Sequence, residues 1–338
     1  MKTVELIVPC YNEENCVSLF YDSIREVFEE LKDFQFIITF VDDGSRDNTL
    51  MEIKKIVKRA DKGKVQYIAL SRNFGKESAI YAGLSQSVGD YVALMDADLQ
   101  HPPRLLIQMI DAIENEGYDR ATARRVSRKG EPVIRSFFSK SFYRIINHVT
   151  SMELMPGSTD YCLMKRSVAE AIVSMGERER FTKGIYSWVG YKNKWIEYEN
   201  VERAAGSTKW SFWGLVRYAY SGFIAFATTP LRGVIYLGLI ITICSFIYAA
   251  TIYIDAVRNP MAERTGYASM MVVMLFLGGV IITILGMIGE YLARIYMEVK
   301  SRPIYFERES NICGDDNNST ANVNKDAVNR EDDRSKYE

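Results

Sequence analysis

Hydrophobic residues follow two different patterns along this chain, and the first extends to about Glu199. Short runs rich in β-branched and aromatic residues alternate there with longer amphipathic stretches. The short runs are predicted strands, at Val4–Val8, Phe36–Val41, Val65–Leu70 and Tyr91–Met95. The stretches between them are predicted helices, near Glu14–Leu31, Asn48–Ala60 and Lys76–Ser87, the second with an N-cap signal in Asp47-Asn48-Thr49. Strand–helix alternation predicts an α/β domain with a mainly parallel sheet.

The second pattern, from about Lys209, is typical of a membrane protein. Gly233–Ile254 and Tyr267–Gly289 contain no charged residue over 22 and 23 positions. Each is long enough to cross a hydrocarbon core about 30 Å thick, and too long for an ordinary core helix. The loop between them has balanced charge, whereas basic residues are more numerous on the outer flanks, which predicts that both ends face the cytoplasm. These flanking residues are Arg203, Lys209, Arg217, Arg232, Arg294, Lys300 and Arg302.

These patterns predict four regions. We expect a catalytic domain at residues 1–208, a juxtamembrane amphipathic segment at 209–230, two transmembrane helices within 231–305, and a polar, disordered tail at 306–338. The aromatic segment around Arg217 suits a helix in the headgroup layer, although a third span or a core helix would also fit. The N-terminus enters a predicted strand at once, without a secretory signal, so we expect the first domain in the cytoplasm.

Composition narrows the function classes. A net charge of −1 over 338 residues does not favour a nucleic-acid-binding surface. The five cysteines are scattered, which favours a reducing compartment over a disulfide or zinc framework. There are two histidines, and His101, followed by two prolines, is expected to be an exposed loop residue.

The strongest chemical signal follows the fourth predicted strand. Asp96, Asp98 and Gln100 alternate after an apolar run, so an extended chain would place their side chains on one side. Ligands of open α/β sheets collect beyond the carboxyl ends of the strands, where these hard oxygen ligands would bind a divalent cation. A solvated turn after a core strand is the competing interpretation.

Two further loops leave predicted strands at the same edge. Pro9-Cys-Tyr11-Asn-Glu13 follows the first strand, and Asp42-Asp43-Gly44-Ser45 follows the second. Their carboxylates suit ribose hydroxyls or a base N–H, and Tyr11 offers a ring face, although each loop alone also reads as a turn. After the third strand, Arg72 or Lys76 would reach a phosphate or would simply be solvated charges at a helix start.

The motifs together resemble a known family. Pro9-x-Tyr11-Asn12-Glu13, Val41-Asp-Asp-Gly-Ser-x-Asp-x-Thr49, Asp96-Ala-Asp-Leu-Gln-His-Pro-Pro103 and the two apolar segments are similar to family 2 glycosyltransferases of the Rossmann-like GT-A fold. Among them the chain most resembles the polyprenyl-phosphate glycosyltransferases, of bactoprenol glucosyltransferase type and, more distantly, dolichol-phosphate mannose synthase. The resemblance covers about residues 1–305.

The resemblance implies a role for each matching residue. Asp96, Asp98 and Gln100 would hold Mg²⁺ or Mn²⁺ against the donor diphosphate, and Asp160 would lie near the reacting centre. The implied nucleoside-site residues are Pro9, Tyr11, Glu13, Asp42 and Asp43, and the implied phosphate-binding residues are Arg125, Arg128, Arg203, Ser207 and Lys209. Arg124, an additional basic residue, leaves open which arginine faces the phosphate.

The implied reaction is inverting transfer of a hexose, UDP-glucose being the favoured donor, to undecaprenyl phosphate at the inner face of the cytoplasmic membrane. Membrane lipids, and self-association into a homo-oligomer, are the other implied partners. The alternatives are a membrane glycosyltransferase that extends a glycan, a mannose synthase of the dolichol-phosphate type that uses GDP-mannose, and a non-catalytic membrane adaptor. An intact metal triad disfavours the adaptor, which needs no metal.

Overall fold

The computed structural model describes residues 1–61, 64–126, 155–178, 180–199, 229–258 and 266–312. By its internal contacts the chain divides into two units. The first comprises Met1–Leu99 and Tyr305–Glu338, and the second is Gln100–Ile304.

The first unit contains a mainly parallel sheet, as predicted. Its described strands run in the order β4-β1-β2-β3-β8; the first four are parallel, and β8 pairs antiparallel with β3. The strands are β1 (Lys2–Cys10), β2 (Phe34–Asp42), β3 (Val65–Leu70), β4 (Tyr91–Leu94) and β8 (Glu307–Ser310). The helices are α1 (Val17–Glu30), α2 (Thr49–Arg59) and α3 (Lys76–Gln86). The predicted elements are therefore confirmed, with ends that move by up to three residues.

Helices cover both faces of this sheet. Phe20 of α1 meets Phe40 of β2 edge to face, with ring centroids 6.2 Å apart. The neighbouring Val41 points to the opposite face, where α3 approaches so closely that a Cβ at Gly83 would lie 2.3 Å from Ile7 Cγ2. Because both faces are buried, β1 and β2 read as nearly continuous apolar runs rather than alternating ones.

The start of α2 differs in detail from the predicted cap. Asn48 occupies the N-cap position without capping through its side chain, which donates to Glu14 Oε2 instead. Asp47 Oδ1 accepts the Thr49 N–H at 3.0 Å. The cap signal was correct, but the preceding residue supplies the hydrogen bond.

The predicted tail begins too early, because its first residues form β8. Asn311 continues the attachment to β3: its Oδ1 accepts the Tyr67 N–H at 2.6 Å and its Nδ2 donates to the Val65 carbonyl. Lys54 Nζ contacts Glu309 Oε2 at 2.7 Å. The polar composition of 306–312 therefore reflects an edge strand. Residues 313–338 lie outside the described part.

The second unit contains three described strands in the order β7-β5-β6. They are β5 (Arg120–Arg125), β6 (Ser158–Lys165) and β7 (Asn193–Tyr198), with β5 antiparallel to β6 and parallel to β7. The shorter helices are α4 (Leu105–Glu114), α5 (Arg166–Ser174) and α6 (Thr182–Trp188).

Two long helices complete the described second unit, α7 (Thr229–Arg258) and α8 (Tyr267–Val299). They contain the predicted spans, and their stretches Gly233–Ile252 and Met270–Val299 are apolar and long enough to cross a membrane. None of these stretches is buried within the protein, as expected for side chains that face lipid. The charged end of α8 is tied to the rest of the unit by the Arg178 N–H, which donates to Glu298 Oε2 at 3.2 Å.

A buried carboxylate connects three strands of the first unit. Glu5 is fully buried in β1, where its Oε1 accepts the Thr39 hydroxyl of β2 at 2.7 Å. Its Oε2 accepts the N–H groups of Val88 and Gly89, just before β4, at 2.7 and 3.1 Å. Such a group is tolerated in the core because its acceptors are satisfied by donors.

We predict that Glu5→Gln lowers the free energy of unfolding by about 2 kcal/mol, because a neutral amide with one acceptor oxygen would replace a carboxylate that accepts three hydrogen bonds. Thr39→Val, which removes one donor, should cost less, about 1 kcal/mol. Thermal unfolding in detergent followed by fluorescence measures both. Equal unfolding temperatures for wild type and Glu5→Gln would contradict this role of Glu5.

Candidate active site

The carboxyl ends of the parallel strands meet at one edge of the first unit, as predicted. Cys10 pairs with Asp42, Asp42 with Ala69, and Ile7 with Leu94. The loops that follow β1, β2, β3 and β4 therefore leave the sheet side by side. This edge contains the predicted residues Pro9, Tyr11, Glu13, Asp42, Asp43, Asp96 and Asp98.

The loops after β1 and β2 are interlocked by hydrogen bonds. The Asn12 N–H donates to Ser45 Oγ at 2.9 Å, and the Arg46 N–H donates to Asn12 Oδ1 at 2.9 Å. The Glu13 N–H donates to Thr49 Oγ1 at 2.7 Å. Asn12 adopts a left-handed conformation with φ 53°, which asparagine tolerates better than most residues. The two motifs therefore form one rigid surface, on which Tyr11 and Glu13 remain half-buried.

Asp42 and Asp43 are buried at this edge, with exposed fractions of 0% and 2%. Asp43 Oδ1 accepts the Phe74 N–H at 2.7 Å, and its Oδ2 accepts the Gly75 N–H at 2.9 Å. Burial raises the pKa of Asp43 to about 6, although these two N–H groups act in the opposite direction. Asp43 thus holds the loop after β3.

The Asp42 carboxylate is placed differently. Its Oδ1 accepts the Ser45 N–H at 3.3 Å, and within the described part of the chain Oδ2 has no hydrogen-bond partner. Burial raises the pKa of Asp42, opposed by the hydrogen bonds from Ser45 and by the positive charge of Arg308. Both aspartates are therefore buried beneath the surface of this edge, where they bind backbone N–H groups of the loops above them.

Gly44 adopts a left-handed backbone conformation in the loop after β2. Its φ is +64°, and a Cβ would lie 2.3 Å from the Arg72 carbonyl carbon. The loops after β2 and β3 thus touch through their backbones, and a glycine is required at the contact.

The predicted alignment of Asp96, Asp98 and Gln100 is only partly correct. Strand β4 ends at Leu94, residues 97–98 form a turn, and Leu99 has a left-handed φ of 56°. Asp96 and Asp98 are half-buried on either side of the buried Ala97. The extended alternation does not continue to Gln100, the first residue of the second unit, so that reason for including it was wrong.

Lys76, at the start of α3, makes an ion pair with Asp96. Its Nζ lies 2.8 Å from Oδ1 and 3.0 Å from Oδ2, and both side chains are partly exposed. The sequence indicated that a basic residue lies in this loop, but it did not indicate Asp96 as its partner. Asp96 reaches the same edge because β4 pairs with β1. The ammonium group of Lys76 therefore lies next to one of the two carboxylates, Asp96, of the pair Asp96 and Asp98.

The described residues contain no group of three or more His, Cys, Asp and Glu side chains that would hold a metal ion. The chemistry of Asp96 and Asp98 nevertheless fits a hard divalent cation whose remaining ligands are diphosphate oxygens and water. The two carboxylates therefore suit a site that is completed by its substrate.

In the second unit, the residues around Asp160 and Arg125 are held together through backbone contacts. Asp160 is half-buried in β6. Arg125 ends β5, and its N–H donates to the Gly157 carbonyl at 2.9 Å. Gly157 has φ +82°, and a Cβ there would lie 2.4 Å from the Arg125 carbonyl oxygen. A glycine before the Asp160 motif is therefore needed to bring β5 and β6 this close.

Arg124 is engaged by the protein itself. Its Nη1 lies 3.0 Å from Glu197 Oε1 of β7, and its Nε donates to the Pro156 carbonyl at 3.3 Å. The Arg124 guanidinium is thus held between β7 and the residues just before β6.

His101 is not the exposed loop residue that we expected. It is half-buried, with Nδ1 2.6 Å from the Tyr198 hydroxyl and its ring centroid 5.8 Å from that of Tyr161. The prolines after it signalled a loop correctly, but neighbouring aromatic rings cover the loop. Their proximity depends on the sheet and not on local sequence.

The other predicted phosphate-binding residues, Arg128, Arg203, Ser207 and Lys209, lie outside the described residues. So does almost all of the predicted juxtamembrane segment, residues 209–230.

Known proteins share both parts of this chain. Residues 5–173 match the glycosyl transferase family 2 model, and residues 229–295 match the GtrB C-terminal hairpin. The chain is 41% identical to the putative glycosyltransferase CsbB of Bacillus subtilis (strain 168), over 93% of each protein. It is 39% identical to a bactoprenol glucosyl transferase of Shigella phage SfX, over 89% of this chain and 97% of that protein.

A solved structure, the mannosyltransferase PcManGT from Pyrobaculum calidifontis in complex with GDP-Man and Mn²⁺, is more distant. It has a TM-score of 0.46 and 17% identity over 81% of this chain and 79% of that one. The match to the family model, and the sequence identities above, which extend over about nine-tenths of the chain, are sufficient by themselves to assign the family. The chain is a glycosyltransferase of family 2, with the GT-A fold and the GtrB C-terminal hairpin.

Proposed function

We propose that this protein transfers glucose from UDP-glucose to a polyprenyl phosphate, undecaprenyl phosphate in the first instance, at a membrane surface. The observation that carries the proposal is the combination of an acidic strand-end edge with two exposed apolar helices in one chain. Relatives named bactoprenol glucosyl transferase, which match both parts over about nine-tenths of the chain, support it.

The donor would bind at the edge of the first unit. Tyr11 and Glu13, half-buried on the interlocked loops, would contact the nucleoside together with Pro9, the penultimate residue of β1. Asp42 and Asp43 would support this surface rather than cover the nucleoside, since both are buried. Lys76, already paired with Asp96, would be drawn towards a diphosphate as a second cation.

Asp96 and Asp98 would hold Mg²⁺ or Mn²⁺ against the diphosphate, where the ion would stabilise the charge on the leaving nucleotide as a Lewis acid. Gln100 remains a proposed third ligand. The carboxylates would fix the position of the diphosphate and, through it, the orientation of the anomeric carbon.

The acceptor chemistry does not require a strong base. A phosphate monoester has a second pKa near 6, so its oxygen is largely ionised at neutral pH and can attack directly. Asp160 would then orient the sugar or the acceptor. Arg125, with Arg128, Arg203, Ser207 and Lys209, would reduce the repulsion between the two phosphates. In-line attack would invert the configuration at the anomeric carbon.

The apolar helices give this reaction its location. We propose that α7 and α8 cross the cytoplasmic membrane with both ends on the cytoplasmic side, as the distribution of basic residues around them favours. A polyprenyl phosphate has its headgroup at the membrane surface, so an anchored enzyme meets it there without extracting the lipid.

The function is tested with membranes that contain the protein, radiolabelled UDP-glucose and undecaprenyl phosphate. We expect label in a chloroform-soluble product that mild acid hydrolyses. Parallel reactions with UDP-N-acetylhexosamine, UDP-galactose and GDP-mannose identify the sugar. Label found in polymer alone would favour glycan extension, and no transfer from any donor would favour an adaptor.

Asp98→Asn should lower turnover about a hundredfold or more, because the amide would replace a negatively charged ligand of the cation that would stabilise the leaving diphosphate. The initial rate of lipid glucosylation and the unfolding temperature are measured together, and the second should not change. Asp111→Asn is the matched control, since Asp111 is exposed on α4 and bonds to Asn115. Full activity of Asp98→Asn, or of wild type in EDTA, would contradict the metal role.

Asp43→Asn should raise the KM for UDP-glucose about tenfold, because the amide offers one acceptor oxygen where the loop presents two N–H groups. In wild type the pKa near 6 means that Asp43 becomes protonated below this pH and loses an acceptor in the same way. Donor affinity should therefore fall as pH decreases from 7 to 5 in wild type.

The Asn variant cannot titrate at this position, so its donor affinity should lack the step near pH 6. UDP binding by calorimetry across this range measures the difference. An identical step in wild type and variant would assign the titration to another group.

A further inference from the structure

The residues that follow the apolar hairpin return to the donor-binding unit as a short strap, defined here as Tyr305–Ile312. The strap belongs to the first unit and contains β8, which adds an antiparallel edge strand to β3. Composition predicted a disordered tail at this position, so the strap needs a separate explanation.

The strap contacts the loop between β3 and α3, residues 71–75. The Ser71 N–H donates to the Phe306 carbonyl at 2.8 Å, directly after the pair formed by Leu70 and Glu307. The rings of Phe306 and Phe74 lie 6.3 Å apart between centroids, at 49°. One side of the loop is therefore held by the strap through both backbone and side chain.

The same loop also carries contacts with carboxylates of the proposed donor site. The N–H groups of Phe74 and Gly75 bind the two oxygens of Asp43, and Lys76, the next residue, binds Asp96. The loop thus lies between the strap and two carboxylates of the proposed donor site. Any displacement of Phe74 alters the geometry of both.

The strap has two further connections to this region. The Tyr305 hydroxyl lies 3.2 Å from Ser85 Oγ of α3, and the Gln86 amide donates to Glu307 Oε2 at 2.9 Å. Arg308 also favours the ionised form of Asp42. The strap therefore restrains the helix that carries Lys76 as well as the loop before it.

We infer that the strap positions the donor site: by bracing loop 71–75 through Phe306, it keeps the Phe74 and Gly75 N–H groups on Asp43 and holds Lys76 at the edge that contains Asp96. This inference rests on the proposed function. Phe306 touches no substrate and acts through Phe74, so it is a positioning residue. Its effect should appear in donor affinity rather than in the chemical step.

The test compares Phe306→Ala, Phe306→Tyr and Glu309→Gln in the full-length protein. Phe306→Ala removes the ring contact but keeps the carbonyl that accepts the Ser71 N–H, and at 52% exposure its loss does not open the core. Phe306→Tyr keeps the ring. Glu309→Gln is the matched control, because Glu309 lies on the strap but pairs with Lys54 of α2, away from the loop.

Four quantities are measured for each variant: the Kd for UDP with Mg²⁺, the KM and the kcat for UDP-glucose, and the rate of amide hydrogen exchange at residues 71–76, with α1 as the internal reference. For Phe306→Ala we expect a Kd and a KM about threefold to tenfold higher, kcat within about twofold, and faster exchange confined to the loop. The tyrosine variant and the Glu309→Gln control should match wild type.

Unchanged KM and unchanged loop exchange in Phe306→Ala would overturn the inference, as would a fall in kcat at constant KM. An equal rise in KM in Glu309→Gln would also overturn it, since the effect would then belong to the whole edge strand. A wild-type protein that neither binds UDP nor glucosylates the lipid refutes the proposed function instead. The exchange data would still report whether Phe306 braces the loop.

Discussion

The parallel pairing of β1 with β2 and β4, and of β2 with β3, is the constraint on which the proposed site depends. In a parallel pair the strands end on the same side, so four loops that are distant in sequence leave the sheet together. Glu5 reinforces this arrangement from the core, since one carboxylate joins β1, β2 and the turn before β4. The acidic residues at the edge are thus held by backbone geometry before any ligand binds.

The carboxylates at this edge have different roles, which depend on how deeply each one is buried. Asp43 accepts two backbone N–H groups and organises the loop after β3, whereas Asp96 and Asp98 remain accessible and provide charge. Gly44 permits the close contact between the two loops, because a Cβ would enter the backbone of Arg72. The two acidic motifs at this edge therefore differ in burial: Asp42 and Asp43 support the surface, whereas Asp96 and Asp98 would provide the charge of the proposed site.

The differences between expectation and structure have two origins, a local turn and contacts between residues distant in sequence. Gln100 was aligned with the aspartates by assuming an extended chain, but a turn at 97–98 and the left-handed Leu99 interrupt it. His101 was expected in solvent, but Tyr161 and Tyr198 cover it. Residues 307–310 were expected in a tail, but the open edge of β3 provides them with a partner strand. For His101 and for residues 307–310 a contact distant in sequence overrode a local tendency, whereas at Gln100 a local turn ended the extended chain.

By itself the sequence determined the α/β alternation, the mainly parallel sheet, the two apolar helices and the loops that carry the chemistry, because these depend on local periodicity and on motifs of a few residues. Only the tertiary structure decided that Lys76 pairs with Asp96, that Arg124 is held by Glu197, and that the chain after the hairpin returns to brace the loop at Phe74. These contacts join residues 20 to more than 200 positions apart. Such pairs leave no periodic signal in a single sequence, since their geometry is set by which strands become neighbours in the sheet.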